Sequence, residues 1–137
     1  MARQHLTMRL NGRTLETLDR RAREVGLTRS RLAERYIEEG LRMDRHPGIV
    51  FWQRPAGREA MLAGSRLSVL DVIFTFRDND NSSEVAADYL GKPLSVIETA
   101  LGYYADHKDE VDAWIEEYLR FADQEEEAWR SRQGLLA

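Results

Sequence analysis

Few residues in this chain have the types and spacing to do chemistry. Asp106 stands beside His107, and a carboxylate next to an imidazole can act as a general base pair. Asp78, Asp80 and Ser82 alternate in "RDNDNSS", the spacing with which a calcium loop opens. Both candidates weaken on inspection. No nucleophile or metal ligand accompanies Asp106 and His107, so Tyr103, Tyr104 and His107 read as core and cap residues. In the acidic loop the glycine position is held by Ser83, and the twelfth position is Tyr89 rather than Glu. No catalytic residue, metal site or cofactor is therefore expected, and the chain is not read as an enzyme.

The remaining chemical signal is charge. Up to Arg45 there are eleven Arg against seven acidic residues; beyond it, nine basic against seventeen acidic residues, for a net charge of −4. A basic first third suits phosphate. An acidic remainder suggests a second partner of different chemistry, and scattered surface charge is the plainer alternative. The 137 residues allow one large or two small domains. With no Cys, disulfide and thiolate chemistry are excluded. No apolar run approaches a membrane span and no apolar leader opens the chain, so a cytoplasmic protein of a bacterium or archaeon is expected, without a membrane partner.

The elements that must position these residues follow from periodicity. In "HLTMRLN" apolar Leu6, Met8 and Leu10 alternate with polar His5, Thr7 and Arg9, which predicts a strand over 5–11. Asn11 caps a helix carrying Leu15, Leu18, Ala22 and Val25, and Gly26 stops it. Thr28 caps a second helix from Arg29 to about Met43, with Leu32, Ala33, Tyr36, Ile37 and Leu41 on one face. Pro47 and Gly48 then break the chain. "GIVFWQ" and "REAMLAGSRL" read as two short strands. "SVLDVIFTFRDN" reads as a helix with Val69, Val72, Ile73 and Phe76 inward. Asn81 with Glu84 predicts a capped helix through Tyr89, and Ser95 with Glu98 predicts the next, striped by Ile97, Ala100, Leu101 and Tyr104. A last helix is expected from near Asp109 to about Trp129.

A lone strand leaves its backbone donors and acceptors unpaired, and 45 residues are too few for a stable core. Pairing with the same strand of a second copy answers both needs. An edge strand docked on the second region is the alternative. Strand, helix, "GLTRS" turn and helix resemble the ribbon-helix-helix fold of the MetJ/Arc/CopG repressors, over about His5 to Met43. The resemblance implies an obligate homodimer, or a higher oligomer, whose antiparallel ribbon enters the major groove of operator DNA. It makes His5, Thr7 and Arg9 the base-reading residues, Arg9 suiting guanine. Leu6, Met8 and Leu10 become the dimer core. Thr28, Arg29 and Ser30 at the start of the second helix, together with Arg3, become phosphate contacts; Arg13 adds a nonspecific one.

Gly64, Ser65, Arg66, Ala86, Asp88, Tyr89, Ala100, Leu101, Tyr103, Tyr104, Asp106 and His107 resemble the pattern of domain-of-unknown-function family four-three-three. That family is small, helical and similar to helix-turn-helix proteins, and the likeness covers about Pro47 to Ile115. The helix from Ser95 to His107 has Lys92 as its only nearby base, which favours packing or dimerisation over DNA contact. Members are frequently antitoxins encoded beside a PIN-type nuclease toxin.

The tail carries Trp114, Tyr118, Phe121 and Trp129 among acidic residues, and large aromatics on a charged helix are typical interface anchors. By analogy with such antitoxins, these four with Arg130 and Arg132 would bind the toxin; packing within the dimer is the alternative. The expected fold is mainly α. A ribbon-helix-helix domain (1–45: one strand, two helices) precedes a helix-turn-helix-like domain with a short β-hairpin (46–110) and a long amphipathic C-terminal helix (111–137). The expected role is that of a type II toxin–antitoxin antitoxin of the VapB kind, a DNA-binding autorepressor that neutralises its toxin. The alternative is a stand-alone transcription regulator whose second domain oligomerises or senses a ligand.

Overall fold

The computed structural model describes residues 2–136. The described residues are mainly helical, with six helices and a two-stranded antiparallel sheet. They divide into two compact units, Met1–Arg42 and Met43–Ala137.

The first unit holds α1 (Gly12–Val25) and the greater part of α2 (Arg29–Arg45). Asn11 caps α1 as expected: its side chain accepts the Thr14 N–H at 2.8 Å. Gly26 closes the helix with φ 71°, a left-handed conformation that a Cβ disfavours, and the Leu27 N–H reaches back to the Ala22 carbonyl at 2.9 Å. Thr28 caps α2 by accepting the Arg31 N–H at 3.2 Å. Residues 2–11 differ from expectation. They carry no regular secondary structure in the single chain, where a strand is predicted over 5–11. The physical reason is that alternation gives a strand its faces but not its partner. A ladder exists only when a second edge supplies the hydrogen bonds.

The second unit opens with the hairpin β1 (Ile49–Arg54) and β2 (Gly57–Leu62), joined by Pro55 and Ala56. Its register pairs Ile49 with Leu62 and Arg54 with Gly57. Four helices follow: α3 (Val69–Asp78), α4 (Ser83–Leu90), α5 (Leu94–Asp106) and α6 (Lys108–Leu136). Their common core includes Ile49, Leu62, Val69, Val72, Ile73, Ala86, Ile97, Ala100, Tyr103, Val111 and Ile115. Burying each large aliphatic side chain there stabilises the unit by about 1.5–3 kcal/mol. Phe76, Leu101 and Tyr104 are only partly buried against it, while Tyr103 is fully buried.

Helix ends show where local rules compete. Ser68 and Asp71 form a reciprocal capping box at α3, with bonds of 3.0 and 2.9 Å. Ser82, not Asn81, caps α4, accepting the Val85 N–H at 3.2 Å. Asp80 and Asn81 instead turn the chain with φ 56° and 58°, which Asp and Asn tolerate better than other non-glycine residues. Ser95 is not a cap either, because α5 starts one residue earlier, after the extended Pro93. Finally, α6 runs to Leu136, beyond the expected end near Trp129, since nothing in "RSRQ" breaks a helix.

Candidate functional site

In the first unit, every side chain from Ala2 to Arg13 is exposed. His5, Thr7 and Arg9 are therefore open to solvent, and so are Leu6, at 73 %, and Met8, at 58 %. Water-exposed apolar side chains at this density are costly: each forgoes the favourable transfer of its surface out of water. Met8 and Leu10 lie along a groove of about 830 Å³ whose other apolar walls are Leu18, Ala33, Tyr36 and Ile37. Arg13, Arg20 and Arg21 edge the same groove. Tyr36, Ile37 and Leu41, which the helical periodicity placed on one face with Leu32, are exposed in the single chain, whereas Leu32 is fully buried.

Two of the predicted phosphate contacts already have partners. The Arg29 guanidinium grips Asp19 through two bonds of 2.7 and 2.8 Å, tying the start of α2 back to α1. The hydrogen bond from Arg29 holds the Asp19 carboxyl below its ordinary range. Arg3 pairs with Glu34 at 2.8 Å, and Arg3 is mostly exposed, so this pair is weak and readily exchanged. Thr28 and Ser30 are exposed beside the α2 N-terminus. The Asp19–Arg29 clamp was not found by sequence reasoning; its only signal is an opposite-charge pair flanking the Gly26 stop.

In the second unit the structure separates Asp106 from the role its neighbour suggested. Its carboxylate meets Arg45 Nε at 3.4 Å and His46 Nε2 at 2.9 Å. The His46 ring is oriented off the line of a good hydrogen bond, so the His46 contact is chiefly proximity. Arg45 is the main reason the Asp106 carboxyl is held below its ordinary range, with His46 adding to it. His107 instead terminates α5, its ring 4.5 Å from Tyr103 and its Nδ1 3.9 Å from a Glu110 carboxylate oxygen. Among the described residues no group of three potential ligands is placed to hold a metal ion.

A polar knot unites α3, α5 and α6. The Tyr104 hydroxyl donates to Asp112 at 2.6 Å, and Arg77 donates to the Tyr104 oxygen at 2.6 Å and to Asp112 at 3.1 Å. Lys108 donates to the other Asp112 oxygen at 2.6 Å. The Lys108 and Tyr104 bonds, with Arg77, hold the Asp112 carboxyl down to about 2. These residues satisfy one another, so the knot fastens helices and offers no open position for a substrate.

The tail residues take two positions. Trp114 is half-buried, and Tyr118 and Phe121 are exposed along a cleft of about 560 Å³. Its opposite wall is the hairpin turn, with Arg54, Pro55 and Arg58, and Leu70. The hairpin wall had no signal in the sequence, because contact between the turn and α6 is purely tertiary. Beyond it, Trp129, Arg130 and Arg132 are exposed, with Arg130 bonded to Glu126 at 2.6 Å. No helix among the described residues is long and apolar enough to cross a membrane. Comparisons with protein-family models, with curated proteins and with solved structures find no match to this chain.

Proposed function

We propose that this chain is a dimeric DNA-binding autorepressor and the antitoxin of a toxin–antitoxin pair. The observation that carries the reading is the apolar groove of the first unit. Exposed Leu6, Met8 and Leu10 precede helices whose Tyr36 and Ile37 are likewise exposed. A second copy supplying the same segment would pair both backbones and cover both apolar faces at once. His5, Thr7 and Arg9 would then face outward on a ribbon, with Arg9 and Thr7 offered to base edges in operator DNA. The Asp19–Arg29 clamp leaves Thr28, the backbone N–H groups of Arg29 and Ser30, and a freed Arg3 to hold phosphate. The aromatics of α6, exposed at Tyr118, Phe121 and Trp129 and half-buried at Trp114, support the antitoxin half, in which these four anchor a PIN-type toxin and Arg130 and Arg132 approach its acidic centre.

Binding of the purified chain to the duplex just upstream of its own gene, beside a scrambled duplex, tests the repressor half. Co-expression with the adjacent reading frame tests the antitoxin half, which fails if the neighbour's product does not co-purify. A stand-alone regulator is favoured by one specific observation: the cleft beside the hairpin has the volume of a small-molecule site. A gene without a toxin neighbour would select that reading.

A further inference from the structure

From Glu116 to Leu135 every side chain of α6 is exposed, a helix of 20 residues and about 30 Å with no cover in the single chain. Several of its residues share one face, flanked by Leu119, Ala122 and Trp129. Phe121, Ala128 and Leu135 recur every seven residues, and Tyr118, Glu125 and Arg132 form the second seven-residue series on the same face. That spacing matches the face of a two-helix seam, with Phe121, Ala128 and Leu135 as its apolar series and Glu125 and Arg132 as charged positions that set register and direction at a cost in stability. We infer that this half of α6 pairs antiparallel with the same segment of a second copy, placing Glu125 of each chain near Arg132 of the other.

Charge decides the occupant and the direction. Glu116–Glu127 holds six acidic residues and one Arg, whereas Arg130 and Arg132 follow without an acid. In a parallel pair Glu125 would face Glu125, and Arg132 would face Arg132, on the seam where like charges are most costly. Turned antiparallel about Ala128, each Glu125 approaches an Arg132, twice by symmetry. The small Ala128 leaves room at the centre for Trp129 from the other helix, and Leu135 comes toward the Phe121 end. Arg130 stays with its own Glu126, away from the seam. This contact concerns the chain purified alone. It does not depend on the DNA reading, and it uses the same face of α6 that the antitoxin reading gives to a toxin.

Amide hydrogen exchange of the full-length chain tests it, because exchange over 119–135 reports this helix whatever the first unit does. A lone exposed helix opens readily, while a paired one is protected. The expected result is slow exchange in the native chain, faster by at least ~10-fold in Trp129→Ala, Glu125→Arg and Arg132→Glu, with protection restored in the double swap Glu125→Arg/Arg132→Glu. All three positions are exposed, so the core of the second unit is untouched and its own exchange serves as the folding control. Equal exchange in native and single-variant chains, or a double swap that restores nothing, overturns the inference.

Discussion

At the residue scale, single side chains set how the chain responds to pH. Asp112 is held down to about 2, below the ordinary carboxyl value near 3.9, chiefly by Lys108, then by Tyr104 and Arg77. A carboxyl depressed in the folded state contributes stability that is present above the unfolded value and is lost as pH falls through the folded one. Asp112→Asn should therefore lower stability at neutral pH, and urea unfolding of the variant should change less between pH 4 and pH 2 than that of the native chain. Parallel pH curves for the two proteins would show that the knot contributes nothing. Residues acting through their sequence neighbours were legible: Asn11, Gly26 and Thr28 cap and stop helices as their types dictate. The Asp112 knot was not, because Arg77, Tyr104 and Asp112 meet only when three helices pack. Asp106 beside His107 misleads for the same reason, since Asp106 is held by Arg45, with His46 close by, from the chain before the hairpin.

At the element scale, apolar periodicity carried most of the information. It placed all six helices and both hairpin strands, because amphipathic faces repeat at the helical period, though α6 runs seven residues past its expected end and β2 stops at Leu62, short of the segment read as a strand. Boundaries slipped where two residues compete for one cap, as at Asn81 and Ser82. Ile97 is fully buried where α5 meets the core, so Ile97→Ala should lower the stability of the second unit by about 2–5 kcal/mol in chemical denaturation. A loss under 1 kcal/mol would mean that α5 is not central to that core. The segment 2–11 marks the limit of element-level reading. Its alternating pattern is plain, yet the single chain holds no strand there, because alternation alone supplies no second edge to pair with.

At the scale of the whole molecule, the proposed second copy would cover the exposed apolar face of the first unit. Leu10→Asp would set a charge into that face, where desolvating it without a partner is strongly unfavourable. In a Trp129→Ala background, which removes pairing through α6, size-exclusion with light scattering should find the chain at twice the chain mass and the added Leu10→Asp at the mass of one chain. A native monomer at micromolar concentration would remove the ribbon. Whole-molecule properties were the least legible in the sequence. The charge asymmetry suggested two chemistries, but the hairpin wall of the α6 cleft appears only once the second unit is folded.

The most direct measurement is binding to the upstream duplex across a salt series, native chain beside Thr7→Ala/Arg9→Ala. The account predicts a preference for that duplex over a scrambled one, a steep fall in affinity with salt, and a loss of preference of about 5–150-fold in the double variant, the worth of a good base contact. Equal affinity of native and variant chains for the upstream duplex, or no binding at low salt, would contradict it.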